Sequence, residues 1–156
     1  MSKAIKYAIC GGAIGATFDL IFAFIYYGQM GATPLRILHS VASGLLGASA
    51  REGGVATAVL GGVLHYSIAI AAALLFLAVA RRFAWLVRHP FISGCIFGIG
   101  MHLTMNFIVL PLSAYPRHVS FDTRSFLITV AAHMFLFGQP IAWMISKGLL
   151  AKGEKA

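Results

Sequence analysis

The chain has 156 residues, 60% of them hydrophobic and 10% charged, with a mean hydropathy of +0.88. A soluble domain of this size needs roughly a quarter charged residues to face water, so the composition excludes one and predicts an all-α integral membrane protein. The net charge of +8 does not point to nucleic acid, because the basic residues gather at the ends of apolar runs, where they orient a membrane protein and meet anionic headgroups.

The opening stretch, MSKAIKYAICGGAIG, has the lysines and apolar run of a secretory signal. The run is too long, contains Asp19 and lacks a small-residue cleavage site, so it is expected to stay as a first span over about residues 4–27. Next comes ATPLRILHSVASGLLGAS, which predicts a shorter helix over about 33–48, capped by Thr33 with Pro34 at its first position. Arg36, His39, Ser40 and Ser43 share one face of it, and Leu38, Val41, Ala42 and Leu45 the other. That pattern predicts an amphipathic interfacial helix, with a re-entrant helix in the bundle mouth as the rival.

Three further spans follow, at about 54–80, 90–110 and 125–145. Each is long enough to cross about 30 Å of hydrocarbon at about 1.5 Å per residue. The outer loop LPLSAYPRHVSFD carries two prolines and is expected to cap the bundle, with His118 solvated. In FGQPIAW, Pro140 removes a backbone hydrogen bond and is expected to kink the fourth span, while Gln139 meets the freed carbonyls or a neighbouring helix. The whole chain, 1–156, then reads as one four-transmembrane-helix bundle.

Orientation follows from charge. With the N-terminus inside, Lys3, Lys6, Arg81, Arg82, Arg88, Lys147, Lys152 and Lys155 are cytoplasmic, and Arg36, Arg51, Arg117 and Arg124 are outside. Both termini are then cytoplasmic, with Trp85 and Trp143 near the inner boundary and Tyr26 and Tyr27 near the outer one. Cys10 and Cys95 fall toward the reducing side and are expected to be packing thiols, not a disulfide.

Each span carries one conspicuous titratable side chain: Asp19, His65, His102 and His133. Counted from Lys6, Arg81, Arg88 and Lys147, they lie roughly 13, 16, 14 and 14 residues deep. That is about 20 to 24 Å, one shared level outward of the bilayer middle. Gly11, Gly15, Asp19 and Ala23 recur in steps of four, as do Gly94, Gly98, His102 and Asn106. Small residues at this spacing let membrane helices approach closely, so the polar residue on the same stripe is expected to face a partner helix. The stripes GGAIGATFD and SGCIFGIGMH, each followed by a Pro-Leu segment and a span with a central histidine, also suggest a parallel repeat of two hairpins.

Asp19, His65, His102 and His133 together offer nitrogen and oxygen ligands for a transition metal, or histidines for a haem b, with Asn106 and Gln139 as supporting groups. A proton-linked small transporter or channel subunit is the second reading, and an assembly subunit with a hydrogen-bonded polar core the third. A homo-oligomer or a larger membrane complex would suit the second and third. The sequence contains no CxxCH, HExxH, phosphate loop or serine nucleophile with a spaced base, so an enzyme is the least favoured class.

At TPLRILHSVASGLLG, LHYSIAI, MNFIVLPLSA and AAHMFLFG the chain resembles small bacterial inner-membrane proteins of the YagU type, over about residues 30 to 140. The resemblance implies a multi-pass protein of a bacterial inner membrane with histidines in its hairpins. It implies no reaction and no ligand.

Overall fold

The computed structural model describes residues 1–116 and 122–151, and these form helices and turns without strands. Four helices are long and apolar enough to cross a membrane: Lys3–Gly28, Gly54–Ala80, Pro90–Leu112 and Thr123–Leu150. They build the all-α four-helix bundle of a multi-pass membrane protein. The first is α1; α2 (Pro34–Leu46) and α3 (Gly54–Ala80) follow, then the short α4 (Ala84–Arg88). The third span comprises α5 (Pro90–Thr104), a π-helical turn (Met105–Val109) and α6 (Leu110–Leu112). The fourth comprises α7 (Thr123–Ala132), a second π-helical turn (His133–Gly138) and α8 (Gln139–Leu150). The expectations for Arg117, His118, Lys152 and Lys155 lie outside the described residues.

Local chemistry sets the boundaries. Ser2 and Thr33 accept from the backbone N–H of Ile5 and Arg36 to start α1 and α2, and Asp122 accepts from Ser125 N–H to start α7. Pro34 and Pro90 stand in the first turns of α2 and α5, where a missing N–H costs nothing. Gly47 ends α2 at a φ of 64°, a conformation open to glycine and closed to bulkier residues. The π-helical turns also have a sequence cause. Each precedes a proline by two residues, Pro111 or Pro140, whose ring would clash with the carbonyl four residues back. A widened turn relieves that clash.

Size sorts residues between inside and outside. The core is dominated by small side chains, with Ala4, Ala8, Ala16 and Ala73 fully buried, while Ile21, Ile25, Val55, Leu75, Phe91, Ile96 and Leu127 are exposed. Hydrocarbon solvates leucine as well as a protein core does, so nothing drives large apolar side chains inward. Close packing of small residues holds the helices instead.

The fourth span is the hub, and both glycine stripes pack onto it. A Cβ at Gly11 would stand 3.2 Å from Ile141 Cα, and one at Gly15 would stand 3.0 Å from the Phe137 carbonyl. From the other side, a Cβ at Gly94 would stand 3.0 Å from the Gly138 carbonyl, and one at Gly98 would run into the His133 carbonyl. Gly12 meets α3 in the same way, 3.1 Å from the Ala69 carbonyl. At the end of the bundle that carries the termini, Gly148 packs on Ala4 and Tyr7, and Phe76 meets Phe97 at 4.7 Å between ring centres.

At the opposite end α2 lies across the start of α3, with Gly61 directly under the Leu38 carbonyl. The Ala114 N–H donates to the Gly44 carbonyl at 2.9 Å, tying α2 to the end of the third span. The expected polar face of this helix does not all turn to water. His39 and Ser43 are buried and Ser40 half-buried, whereas Arg36, Leu35, Leu45 and Leu46 are exposed. Turning His39 inward lets its Nε2 donate to the Gly54 carbonyl at 2.7 Å. Cys10 is exposed rather than packed, and Cys95 is half-buried; both are free thiols. The two stripes do not pack as twofold mates either: α1 runs along α8 for much of its length, while α3 and α5 lack a comparable seam.

Candidate functional site

The stripes decide where the titratable groups go. Because α1 and the fourth span are antiparallel, a step of four up one is a step of four down the other. Gly11, Gly15 and Asp19 therefore pass Ile141, Phe137 and His133 in turn. The same stepping along α3 carries Gly12 past Ala69 and Ala16 past His65. Asp19 ends up between two imidazoles, with Oδ1 3.6 Å from His133 Nδ1 and Oδ2 4.0 Å from His65 Nε2. The third span adds His102, whose ring stands edge-on to His133 with centres 4.8 Å apart.

All four residues of the shared level are thus neighbours, strung in the order His65, Asp19, His133, His102. Among the described residues, though, no three His, Cys, Asp or Glu side chains are arranged to hold a metal ion. The hydrogen bonds give a reason. His65 Nε2 is 2.9 Å from the Ala16 carbonyl and His133 Nδ1 is 3.0 Å from the Thr129 carbonyl. A carbonyl can only accept, so both ring nitrogens carry a proton. The nitrogens nearest the carboxylate therefore present N–H, where a metal needs a lone pair.

Asp19 itself makes no direct hydrogen bond to another described residue, and its side chain keeps 16% exposure. His65 and His133 keep similar exposure, whereas His102 is only 4% exposed. Asn106 Nδ2 donates to the His102 carbonyl at 2.8 Å and lies 3.3 Å from its Nε2, while His102 Nδ1 has no hydrogen-bond partner among the described residues. Asn106 thus touches the expected residue.

Gln139 does not reach this site. Its Nε2 donates to the Phe91 carbonyl at 2.8 Å and its Oε1 accepts from Trp143 Nε1, so it joins α8 to α5 toward the termini. Pro140 gives the reason: the turn it widens precedes Gln139 and leaves that side chain facing α5. On α2, His39 and Ser40 lie apart from the site, and Arg36 is exposed. Two further polar pairs have no counterpart among the sequence expectations. Tyr66, which follows His65, meets Thr17 at 2.8 Å, and Tyr26 donates to Ser125 at 2.9 Å, linking α1 to α7 beyond Asp19. Their hydroxyls look like ordinary span residues until the helices are placed.

No family model, no curated protein and no solved structure matches this chain.

Proposed function

We propose that the protein is a proton-exchanging subunit of a bacterial inner membrane, with Asp19 as the exchanging group and His65, His133 and His102 as its relay. One observation carries the reading: a carboxylate inside the bundle stands between two imidazoles and is hydrogen-bonded to neither. A structural polar core would satisfy it. An acidic side chain at this depth costs about 3 kcal/mol, and an interhelical hydrogen bond returns only about 0.6 kcal/mol. Asp19 forgoes even that. An unlocked carboxylate beside imidazoles can take up and release a proton without first breaking a bond.

The seam between site and termini is closed by Gly11, Gly12, Gly15 and fully buried Ala8, Ala73 and Ile141, so the relay is reached from the α2 end. The basic residues favour that end outside and both termini in the cytoplasm. The resemblance to YagU-type proteins supports the same membrane. A lone bundle of four helices leaves little room for a solute path, so a homo-oligomer or a larger complex is part of the reading.

Proteoliposomes loaded with a pH dye test it. An imposed pH gradient should dissipate faster with the wild-type protein than in empty vesicles, and Asp19→Asn and His133→Gln should abolish the difference. Gln139→Leu, which leaves the relay intact, should retain it. Wild-type vesicles no leakier than empty ones would sink the proton reading. Near-stoichiometric metal or a haem band in the purified protein, lost in His102→Ala, would replace it with the ligand-binding one.

A further inference from the structure

Six described basic residues stand at the termini end, and none has an acidic partner among the described residues. Lys3 and Lys6 lie in the first turns of α1, Arg81 and Arg82 follow α3, Arg88 ends α4 and Lys147 lies near the end of α8. The described acids are elsewhere: Asp19 is inside the bundle, and Glu52 and Asp122 are at the α2 end. The ion pairs among the described residues join Asp19 to histidine only.

The packing brings together the three helix ends that carry four of these cations. Arg81 Nη2 reaches Ser2 Oγ at 3.5 Å, bringing the end of α3 to the start of α1. Gly148, the neighbour of Lys147, packs on Ala4 and Tyr7, so the end of α8 meets the turn of α1 that carries Lys3 and Lys6. Lys3 Nζ also stands 6.0 Å from the centre of the Tyr7 ring. Like charges on adjoining helix ends repel unless a counter-anion sits among them.

Depth says which anion. The cations cap apolar helices long enough to span the bilayer, which puts them at the level of the headgroup phosphates. Below Arg81 on α3, Ala78 and Leu74 are exposed and give acyl chains an apolar wall. We propose that Lys3, Lys6, Arg81 and Lys147 form a binding site for the phosphate of an anionic phospholipid headgroup, built where α1, α3 and α8 meet. The site is independent of the proton relay and of which face of the membrane the termini occupy.

The full chain in nanodiscs tests it, with zwitterionic phosphatidylcholine alone or mixed with anionic phosphatidylglycerol. Native mass spectrometry should show phosphatidylglycerol retained on the wild-type protein, and the melting temperature should be higher in the anionic discs. Lys3→Gln, Lys6→Gln and Arg81→Gln should each lower retention by about fivefold, the equivalent of about 1 kcal/mol per basic residue. Arg36→Gln and Arg124→Gln, at the other end, should leave it unchanged. Melting of each variant in phosphatidylcholine at the wild-type temperature shows that it still folds. Equal melting of the wild-type protein in the two lipids, or equal retention by the seam and control variants, overturns the site. The same stabilisation by inorganic phosphate in phosphatidylcholine discs also overturns it, in favour of a free anion.

Discussion

At the scale of single residues, the glycines and the titratable groups are one device. Gly98 lets α5 come close enough for the His133 carbonyl to occupy the space a Cβ would need, and Gly138 faces the Gly94 carbonyl in the same way. Four residues beyond Gly98 the same approach presses His102 against His133. Gly98→Ala and Gly138→Ala should therefore lose about 1 to 3 kcal/mol through overpacking, seen as a drop of several degrees in melting temperature. Gly100, on the same helix, has open space where a Cβ would stand, with nothing within 4 Å. Gly100→Ala should gain about 0.5 to 1 kcal/mol from helix propensity. Equal losses at 98 and 100 would mean that the close seam does not hold the helices.

At the scale of elements, the prolines shape the two spans that supply His102 and His133. With Pro140→Ala the clash that widens the turn at His133–Gly138 is gone, so the helix should regularise and rotate His133 relative to Asp19. Cysteines replacing Asp19 and His133, in a background without Cys10 and Cys95, should crosslink with a short reagent, and adding Pro140→Ala should cut the yield. An unchanged yield would remove the proline as the cause. The start of α7 offers a pH test outside the spans. Hydrogen bonds from Ser125 hold the Asp122 carboxyl below its ordinary value of 3.8. A depressed carboxyl stabilises the fold above its unfolded pKa and loses that contribution as pH falls through the lower, folded value. Hydrogen exchange in the first turn of α7 should therefore be faster in Asp122→Ala above pH 3.8, and the difference should shrink below it.

At the scale of the molecule, the fold puts the start of α1 and the end of α8 at one end and the end of α6 and the start of α7 at the other. Reporter fusions after residue 156 and within residues 113–122 should therefore report opposite sides, with the first cytoplasmic on the charge balance. Reports from the same side would mean that Thr123–Leu150 does not cross the membrane and would break the bundle.

The sequence by itself determined the class, the four long helices with their approximate limits, and the stripes that face inward, because length, apolar content and residue size are local properties. It also placed Asp19, His65, His102 and His133 at one depth, since a helix converts residue number directly into height. It could not determine rotation about each axis or which helices touch. Those depend on long-range packing: the Gly138–Gly94 approach, the π-helical turn ahead of Pro140, and α2 laid across Gly61. Tertiary structure therefore decided that Gln139 joins α5 instead of the histidines and that His39 turns into the protein. It also decided that His65 meets Asp19 with its N–H already given to the Ala16 carbonyl of α1. His133 finds its acceptor at Thr129, one turn back on its own span, whereas the acceptor for His65 comes from a neighbouring helix, at a distance that no pattern along one helix records.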